Sequence, residues 1–224
     1  MKVLIAIILA AALGYFLGSI NFSIIIVQIV RGKDIRTMGS KNAGLTNTYR
    51  CCGPACAGLT LLGDVCKGVL AVALARWIAG LMKVGFVPDN DVHYIGYIAA
   101  FFAIIGHIFP VYYGFKGGKG VLVGAASFLA LDFRVFIALL AIFVVILAIS
   151  KYVSLSSILA SAYGPIAVFM MSLIVNGTSF PRSLLYLILS LPMSAVIIWK
   201  HRSNIERLLN NTESKFSFST KSSD

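Results

Sequence analysis

Charge is what this sequence has least of. Of 224 residues only 12% are charged while 59% are hydrophobic, and a mean hydropathy of +0.92 lies well outside the range of a water-soluble domain. A soluble enzyme is thereby excluded. Acidic side chains are the scarcest, eight Asp and Glu against nineteen Lys and Arg, for a net charge of +11. Because long runs carry no charge at all, the basic excess must sit in the connections. There it points to an anionic membrane surface or anionic substrates before nucleic acid. Cysteine is sparse too: Cys51, Cys52, Cys56 and Cys66 make no C-x-x-C pair and have no His at ligand spacing. Neither a disulfide framework nor a zinc site is expected. No internal repeat is present. With about 1.5 Å of rise per residue and about 20 residues per crossing, the chain allows at most roughly seven to nine membrane spans, which leaves no room for a separate soluble domain.

What the sequence does have is a series of apolar runs, each bounded by charge because an ionised group at the bilayer centre costs several kcal/mol. They are Val3 to Val30, Gly53 to Leu81 with Asp64 and Lys67 inside it, Val92 to Val111, Gly120 to Leu131, Val135 to Ser150, Leu155 to Val175 and Leu184 to Trp199. The first begins like a signal peptide, with Lys2 and then Ala10 to Ala12, but stays apolar far beyond a signal peptide's length and reads as an uncleaved span. The fourth, twelve residues from Gly120 to Leu131, covers only about 18 Å of a core about 30 Å thick. Positive charge decides whether it crosses. With seven spans and the N-terminus outside, thirteen Lys and Arg face the inside and five the outside; without that crossing the split is nine against nine. The positive-inside rule favours seven spans, N-terminus out and C-terminus in.

Four polar segments then share the inner side. Gly39-Ser40-Lys41-Asn42-Ala43-Gly44-Leu45-Thr46-Asn47-Thr48-Tyr49-Arg50 combines two glycines with hydrogen-bond donors, a composition that suits wrapping an anion and equally a turn-rich connector. Gly106-His107-Ile108-Phe109-Pro110 precedes Gly114-Phe115-Lys116-Gly117-Gly118-Lys119-Gly120 at the start of the short fourth helix, where free helix N–H groups, glycines and two lysines suit a phosphate cradle. It is not a Walker A motif: the spacing is one short, Gly120 stands where Ser or Thr is required, and no strand precedes it. Ser154-Leu155-Ser156-Ser157 opens the sixth span, where N-capping is the default role for any one hydroxyl. His201-Arg202-Ser203-Asn204-Ile205-Glu206-Arg207 follows the last span. If that helix continues, His201 and Asn204 share a face while Glu206 lies about 140° from His201, which disfavours a His-Glu dyad. Asp64 and Lys67, three apart, are able to pair on one helix face, a pairing that inside a membrane is functional or specificity-giving by default. His93, on the outer side, and the interfacial Trp77 and Trp199 are assigned no chemistry.

These segments, in this order and on one side, resemble the bacterial integral-membrane glycerol-3-phosphate acyltransferases of the PlsY type, which use acyl phosphate as donor. The likeness runs from Gly18-Ser19 to Glu213 and covers the Gly39 to Arg50 loop, Asp64 to Lys67-Gly68, Gly106-His107 to Lys119-Gly120, Ser154 to Ser157 and His201-Arg202 to Ile205. It implies an all-α, seven-span enzyme of one domain, residues 1–213, in the bacterial inner membrane, its site facing the cytoplasm and residues 214–224 a disordered tail. It implies transfer of an acyl group from acyl phosphate to glycerol 3-phosphate, giving lysophosphatidic acid and inorganic phosphate. Carried over by position, Arg50, Lys116 and Lys119, with the Gly117-Gly118 backbone, would hold phosphates; Ser40, Asn42, Thr46 and Asn47 would shape the pocket; Ser156, His201 and Asn204 would orient glycerol 3-phosphate. The family pattern has no enzyme nucleophile, cofactor, metal or obligatory protein partner, and it makes the donor's own phosphate the proton acceptor. No acidic residue lies in the two phosphate loops to bind Mg²⁺ or act as base.

The sequence departs from the family at Asn21 and Ser23, usually Pro and Gly, at Asn211, usually Gly, and at Val121-Leu122-Val123, usually Val-Ala-Thr. Asn is the commonest substitute for Gly in the left-handed conformation. Two rivals are an acyltransferase with a His-x4-Asp motif, whose nearest match here is His201 to Glu206 with the wrong acid, and a transporter or binding protein for an organic phosphate. A transporter places its polar groups near the bilayer midplane, whereas these gather at one interface.

Overall fold

A computed structural model describes residues 1–85 and 90–216. Among these the chain forms nine α-helices and no strand: α1 Lys2–Ser19, α2 Phe22–Arg31, α3 Leu45–Leu81, α4 His93–Ile108, α5 Val121–Leu131, α6 Phe133–Ser150, α7 Val153–Met170, α8 Phe180–Lys200 and α9 Arg202–Leu209. Six segments are long and apolar enough to cross a membrane, namely Lys2–Arg31, Leu45–Leu81, His93–Tyr113, Phe133–Ser150, Val153–Val175 and Phe180–Lys200. The short apolar run expected between the third and fifth spans is α5, eleven residues long.

Each departure from a straight helix has a residue-level cause. The first apolar run is broken at Ile20-Asn21, where Asn21 adopts an extended conformation and its Oδ1 accepts the Ile24 N–H at 3.2 Å to cap α2. Inside α3, Gly53 takes φ 84 and ψ −178, a conformation open to glycine alone. Pro54 follows; it has no N–H and its ring would strike the carbonyl four residues back, so the helix must break there. The first turns of α3, from Leu45 to Cys52, are thus set at their own angle to the membrane-crossing part. Across the break, Cys52 and Cys56 pair as a disulfide with 5.8 Å between their Cα atoms. This corrects the expectation of no disulfide: i, i+4 spacing is not a disulfide signature in a regular helix, and the non-helical Gly53 alters the local geometry.

Packing is closest between α1 and α4. A Cβ on Gly14 or Gly18 would collide with the carbonyl oxygens of Ala99 and Ala103, and one on Gly106 with that of Tyr15. Small residues let two backbones touch where lipid offers no hydrophobic drive to associate. Helix α4 is the most enclosed, with Ile95, Ala99, Ala100, Ala103, Ile104 and Ile108 fully buried. By contrast α6 buries only Val135 and Leu139, as expected of a helix facing lipid. Residues 214–216 of the expected tail are held near α7, with the Phe216 N–H donated to the Lys151 carbonyl at 2.7 Å; residues 217–224 lie outside the described residues.

Candidate active site

The loop from Gly32 to Gly44 is built around one side chain. Asn47, buried in the first turn of α3, donates from Nδ2 to the carbonyls of Met38 and Asn42, each at 3.0 Å, and accepts the Ser40 N–H on Oδ1 at 2.9 Å. Arg36 ties this loop to the next. Its guanidinium grips Asp34 at 2.7 Å and donates to the carbonyls of Tyr113 at 2.6 Å and Lys116 at 3.0 Å. Hydrogen bonds from Arg36 hold the Asp34 carboxyl below its ordinary range despite the opposing effect of burial. In the second loop the Gly117 and Gly118 N–H groups bond the carbonyls of Ile108 and His107 at 3.1 Å each, turning the chain sharply under the end of α4. Gly120 at φ 82 then starts α5.

That turn delivers Lys119 to the last motif. Its Nζ donates to Asn204 Oδ1 at 2.5 Å, Asn204 Nδ2 donates to Glu213 Oε1 at 2.7 Å, and Ser154 Oγ donates to the same oxygen at 2.7 Å. Arg207 Nε reaches Glu213 Oε2 at 2.7 Å. The last helix does not run on past the membrane: His201 sits at a break between α8 and α9, with φ −91. The N–H groups of Asn204 and Ile205 bond the His201 carbonyl at 2.8 and 2.9 Å, so His201 and Asn204 both turn inward while Glu206 stays exposed. His201 is 2% exposed, and its Nδ1 lies 2.8 Å from the Ile197 carbonyl. A carbonyl only accepts, so Nδ1 carries the proton and Nε2 is an acceptor.

Burial first, then the neighbouring Lys119 charge, lower the His201 pKa to about 4, against raising effects of the Ile197 carbonyl and Glu213. The ring is neutral at pH 7. Lys119 is lowered to about 8, again by burial first, with Arg207, Arg50 and Lys200 adding repulsion and Glu213 opposing. Burial raises the Glu213 pKa, but hydrogen bonds from Ser154, Asn204 and Arg207 outweigh it and the carboxyl titrates below its ordinary value.

These groups line a cavity of about 980 Å³. Of the residues expected at the site, Ser40, Asn42, Thr46, Asn47, Arg50, Gly117, Lys119, His201 and Asn204 are on its wall. Three are not. Lys116 is exposed and contributes its carbonyl to Arg36. Gly118 is buried between Ala43 and His107, and a Cβ there would collide with both; with both N–H groups bonded to α4, the two glycines give close approach, not a row of free donors for phosphate. Ser156 is fully buried and bonds back to the Tyr152 carbonyl at 2.8 Å, while Ser154 and Ser157 face the cavity. At about 100° per residue, Ser154 and Ser157, three apart, share a helix face, and Ser156 lies about 100° round from Ser157. Glu213, Arg207, Lys200 and Arg202 also reach the cavity; the sequence motifs assign none of them a role there. The signal for Glu213 was available in Asn211, which adopts φ 55, reverses the chain after α9 and returns the next acidic residue to the site. Away from the charges the cavity runs between α5, α6, α7 and α8, lined by Ala125, Leu129, Phe136, Leu139, Phe143, Gly164 and Met193.

Residues 8–211 match the model of the glycerol-3-phosphate acyltransferase family. The chain belongs to this family. A glycerol-3-phosphate acyltransferase of Clostridioides difficile (strain 630) is 39% identical over 208 residues, covering 93% of this chain and 94% of the relative. One of Bacillus subtilis (strain 168) is 35% identical over 203 residues, 91% and 94% of the two chains. Among solved structures, the glycerol 3-phosphate form of PlsY (YgiH), an integral membrane glycerol 3-phosphate acyltransferase, superposes with a TM-score of 0.75 at 28% identity, covering 94% of this chain and 96% of that one. The lysophosphatidic acid form of PlsY gives 0.72 at 27% identity over 94% and 95%. The all-helical membrane fold expected of the family is the fold observed, and the resemblance drawn from the motifs is to the PlsY type that these structures represent.

Proposed function

We propose that the protein, an acyltransferase by family, takes its acyl group from an acyl phosphate and passes it to the 1-hydroxyl of glycerol 3-phosphate at the cytoplasmic face of a bacterial inner membrane, releasing lysophosphatidic acid and inorganic phosphate. The observation that carries the reading is the junction of Lys119, Asn204, Glu213 and Ser154, which joins three of the four inner-side motifs by hydrogen bonds of 2.5 to 2.7 Å; Arg50 of the remaining motif lines the same cavity. Glycerol 3-phosphate is what the relatives' name and one PlsY form carry. The apolar extension between α5 and α8 suits an acyl chain, in keeping with the lysophosphatidic acid form of PlsY.

An acyl phosphate is already activated, so alignment and charge supply most of what catalysis needs. Arg50 and Lys119 hold the two phosphates, with Lys200, Arg202 and Arg207 adding positive potential. His201 Nε2 accepts a hydrogen bond from the attacking hydroxyl and aims it. With a pKa of about 4, His201 is a poor base at pH 7. The donor's phosphate, on which negative charge builds as its bond to the acyl carbon breaks, is the better one. As the glycerol oxygen bonds to the acyl carbon and the carbon–oxygen bond to the donor phosphate breaks, the hydroxyl proton therefore passes to the departing phosphate. The test is reconstituted protein with labelled glycerol 3-phosphate and, in parallel, palmitoyl phosphate, palmitoyl-CoA and palmitoyl carrier protein, with chelator present. Lysophosphatidic acid is expected from palmitoyl phosphate alone. Equal or greater product from a thioester donor would refute the donor assignment.

A further inference from the structure

Behind the phosphate turn lies a polar cluster inside the bundle that the reaction as described does not use. Lys67, on α3, is 3% exposed, Asp64 1% and His107, near the end of α4, 4%. The sequence suggested an Asp64–Lys67 pair, and the two meet at 2.8 Å. The same ammonium also donates to the Ile20 carbonyl at 2.7 Å, at the break between α1 and α2, and lies 3.0 Å from His107 Nδ1. An ammonium has three N–H bonds and no acceptor. Facing a group that only donates, His107 Nδ1 presents a lone pair, and the proton of the neutral ring is on Nε2. That edge of the ring abuts Gly118, where a Cβ would collide with Nε2, and the His107 carbonyl takes the Gly118 N–H. The next residue is Lys119. Asp64 and His107 are both on the cavity wall.

We propose that Lys67 and His107 are positioning residues: Asp64 and the Ile20 carbonyl fix Lys67, Lys67 fixes His107 as the Nε2–H tautomer, and the ring sets the Gly117-Gly118 turn that aims Lys119 at Asn204. The cluster touches neither reacting atom, and the assignment rests on the phosphate-binding reading of Lys119. It explains why an ion pair sits within a membrane helix, where a charge is costly unless paired and hydrogen-bonded. The pair ties the break between α1 and α2 and the end of α4 to the middle of α3.

Two readouts test this on the full chain in lipid nanodiscs. The first is nitrogen NMR of ring-¹⁵N histidine, with the His107 signals assigned by their loss in His107→Gln. The wild type is expected to show His107 in one form, protonated at Nε2 and not at Nδ1; a ring protonated at Nδ1 overturns the proposal. The second is calorimetric binding of glycerol 3-phosphate without donor. In Asp64→Leu/Lys67→Met, which removes both charges together, the dissociation constant is expected to rise about tenfold with kcat less affected. A folded double variant binding within about threefold of wild type would show that the cluster serves folding alone. Should the double variant not fold, the wild-type tautomer still decides. A wild type that binds no glycerol 3-phosphate would refute the proposed function and leave the tautomer as the test of the positioning.

Discussion

The two ends of the bundle both hold polar cavities, and they differ in how their charges are balanced. At the cation-rich end the lining includes Lys41, Arg50, Lys119, Lys200, Arg202 and Arg207 against Asp64 and Glu213, and Asp64 is already paired with Lys67. At the opposite end a cavity of about 730 Å³ is lined by Arg76, Arg182 and His93 against Asp91 and Asp132. Its groups are matched to one another. Asp91 takes His93 at 2.5 Å and the Tyr186 hydroxyl, Asp132 takes Asn176 at 2.7 Å, and Arg76 donates to the Ala130 carbonyl at 2.7 Å. Donors from His93 and Tyr186 overcome the cost of burial and hold the Asp91 carboxyl far below its ordinary range. Balanced charge closes loops between helices; an excess of one sign, partly desolvated, attracts an ion of the other.

The largest expected effect breaks the cation-rich end. Lys119→Ala or Arg50→Ala should lower turnover about a hundredfold or more, as removal of one charge-stabilising donor does, with the thermal midpoint little changed. Arg76→Ala should do the reverse, keeping turnover within about threefold while costing about 1 kcal/mol of stability through the lost bond to the half-buried Ala130 carbonyl. A comparable loss of turnover in Arg76→Ala would erase the distinction between the ends. Next in size is pH. Lys119 is charged below its value of about 8, so affinity for glycerol 3-phosphate should hold through neutrality and fall about tenfold per unit well above pH 8. In Lys119→Arg, which stays charged throughout, that fall should vanish; calorimetric titrations from pH 6.5 to 9.5 would show it. Smallest is the serine pair on α7. Ser154→Ala removes a donor to Glu213 and should cost about tenfold in activity, whereas Ser156→Ala, which loses only a bond to its own helix, should stay within about twofold. The opposite ranking would return Ser156 to the site.

Most of the fold was legible because the bilayer makes sequence rules strict. Seven apolar runs became the six long segments and α5, their limits set by the charges that bound them. What escaped was local. Asn21 splits the first run because its side chain caps α2, and a capping Asn in an apolar run leaves no mark in hydropathy. Gly53-Pro54 breaks α3 where hydropathy continues. The site was legible as a set of motifs and less so as a set of contacts. Position alone did not tell Ser154 from Ser156, because which side of α7 faces the cavity depends on how α9 and Glu213 fold back over it. Lys116 looked equivalent to Lys119, yet the Gly117-Gly118 turn sends one to solvent and the other inward. His107 belongs to a sequence motif, but its partner Lys67 lies 40 residues away, and only the packing of α3 against α4 joins them.

The central proposal is that the cation-rich end catalyses acyl transfer from acyl phosphate. Its most direct test follows lysophosphatidic acid and inorganic phosphate together, from palmitoyl phosphate and glycerol 3-phosphate, for the wild type and for Lys119→Ala of equal folded content. Equal amounts of the two products from the wild type, and about a hundredfold less of both from the variant, is the predicted result. Phosphate released without lysophosphatidic acid, or unchanged yields in Lys119→Ala, would contradict it.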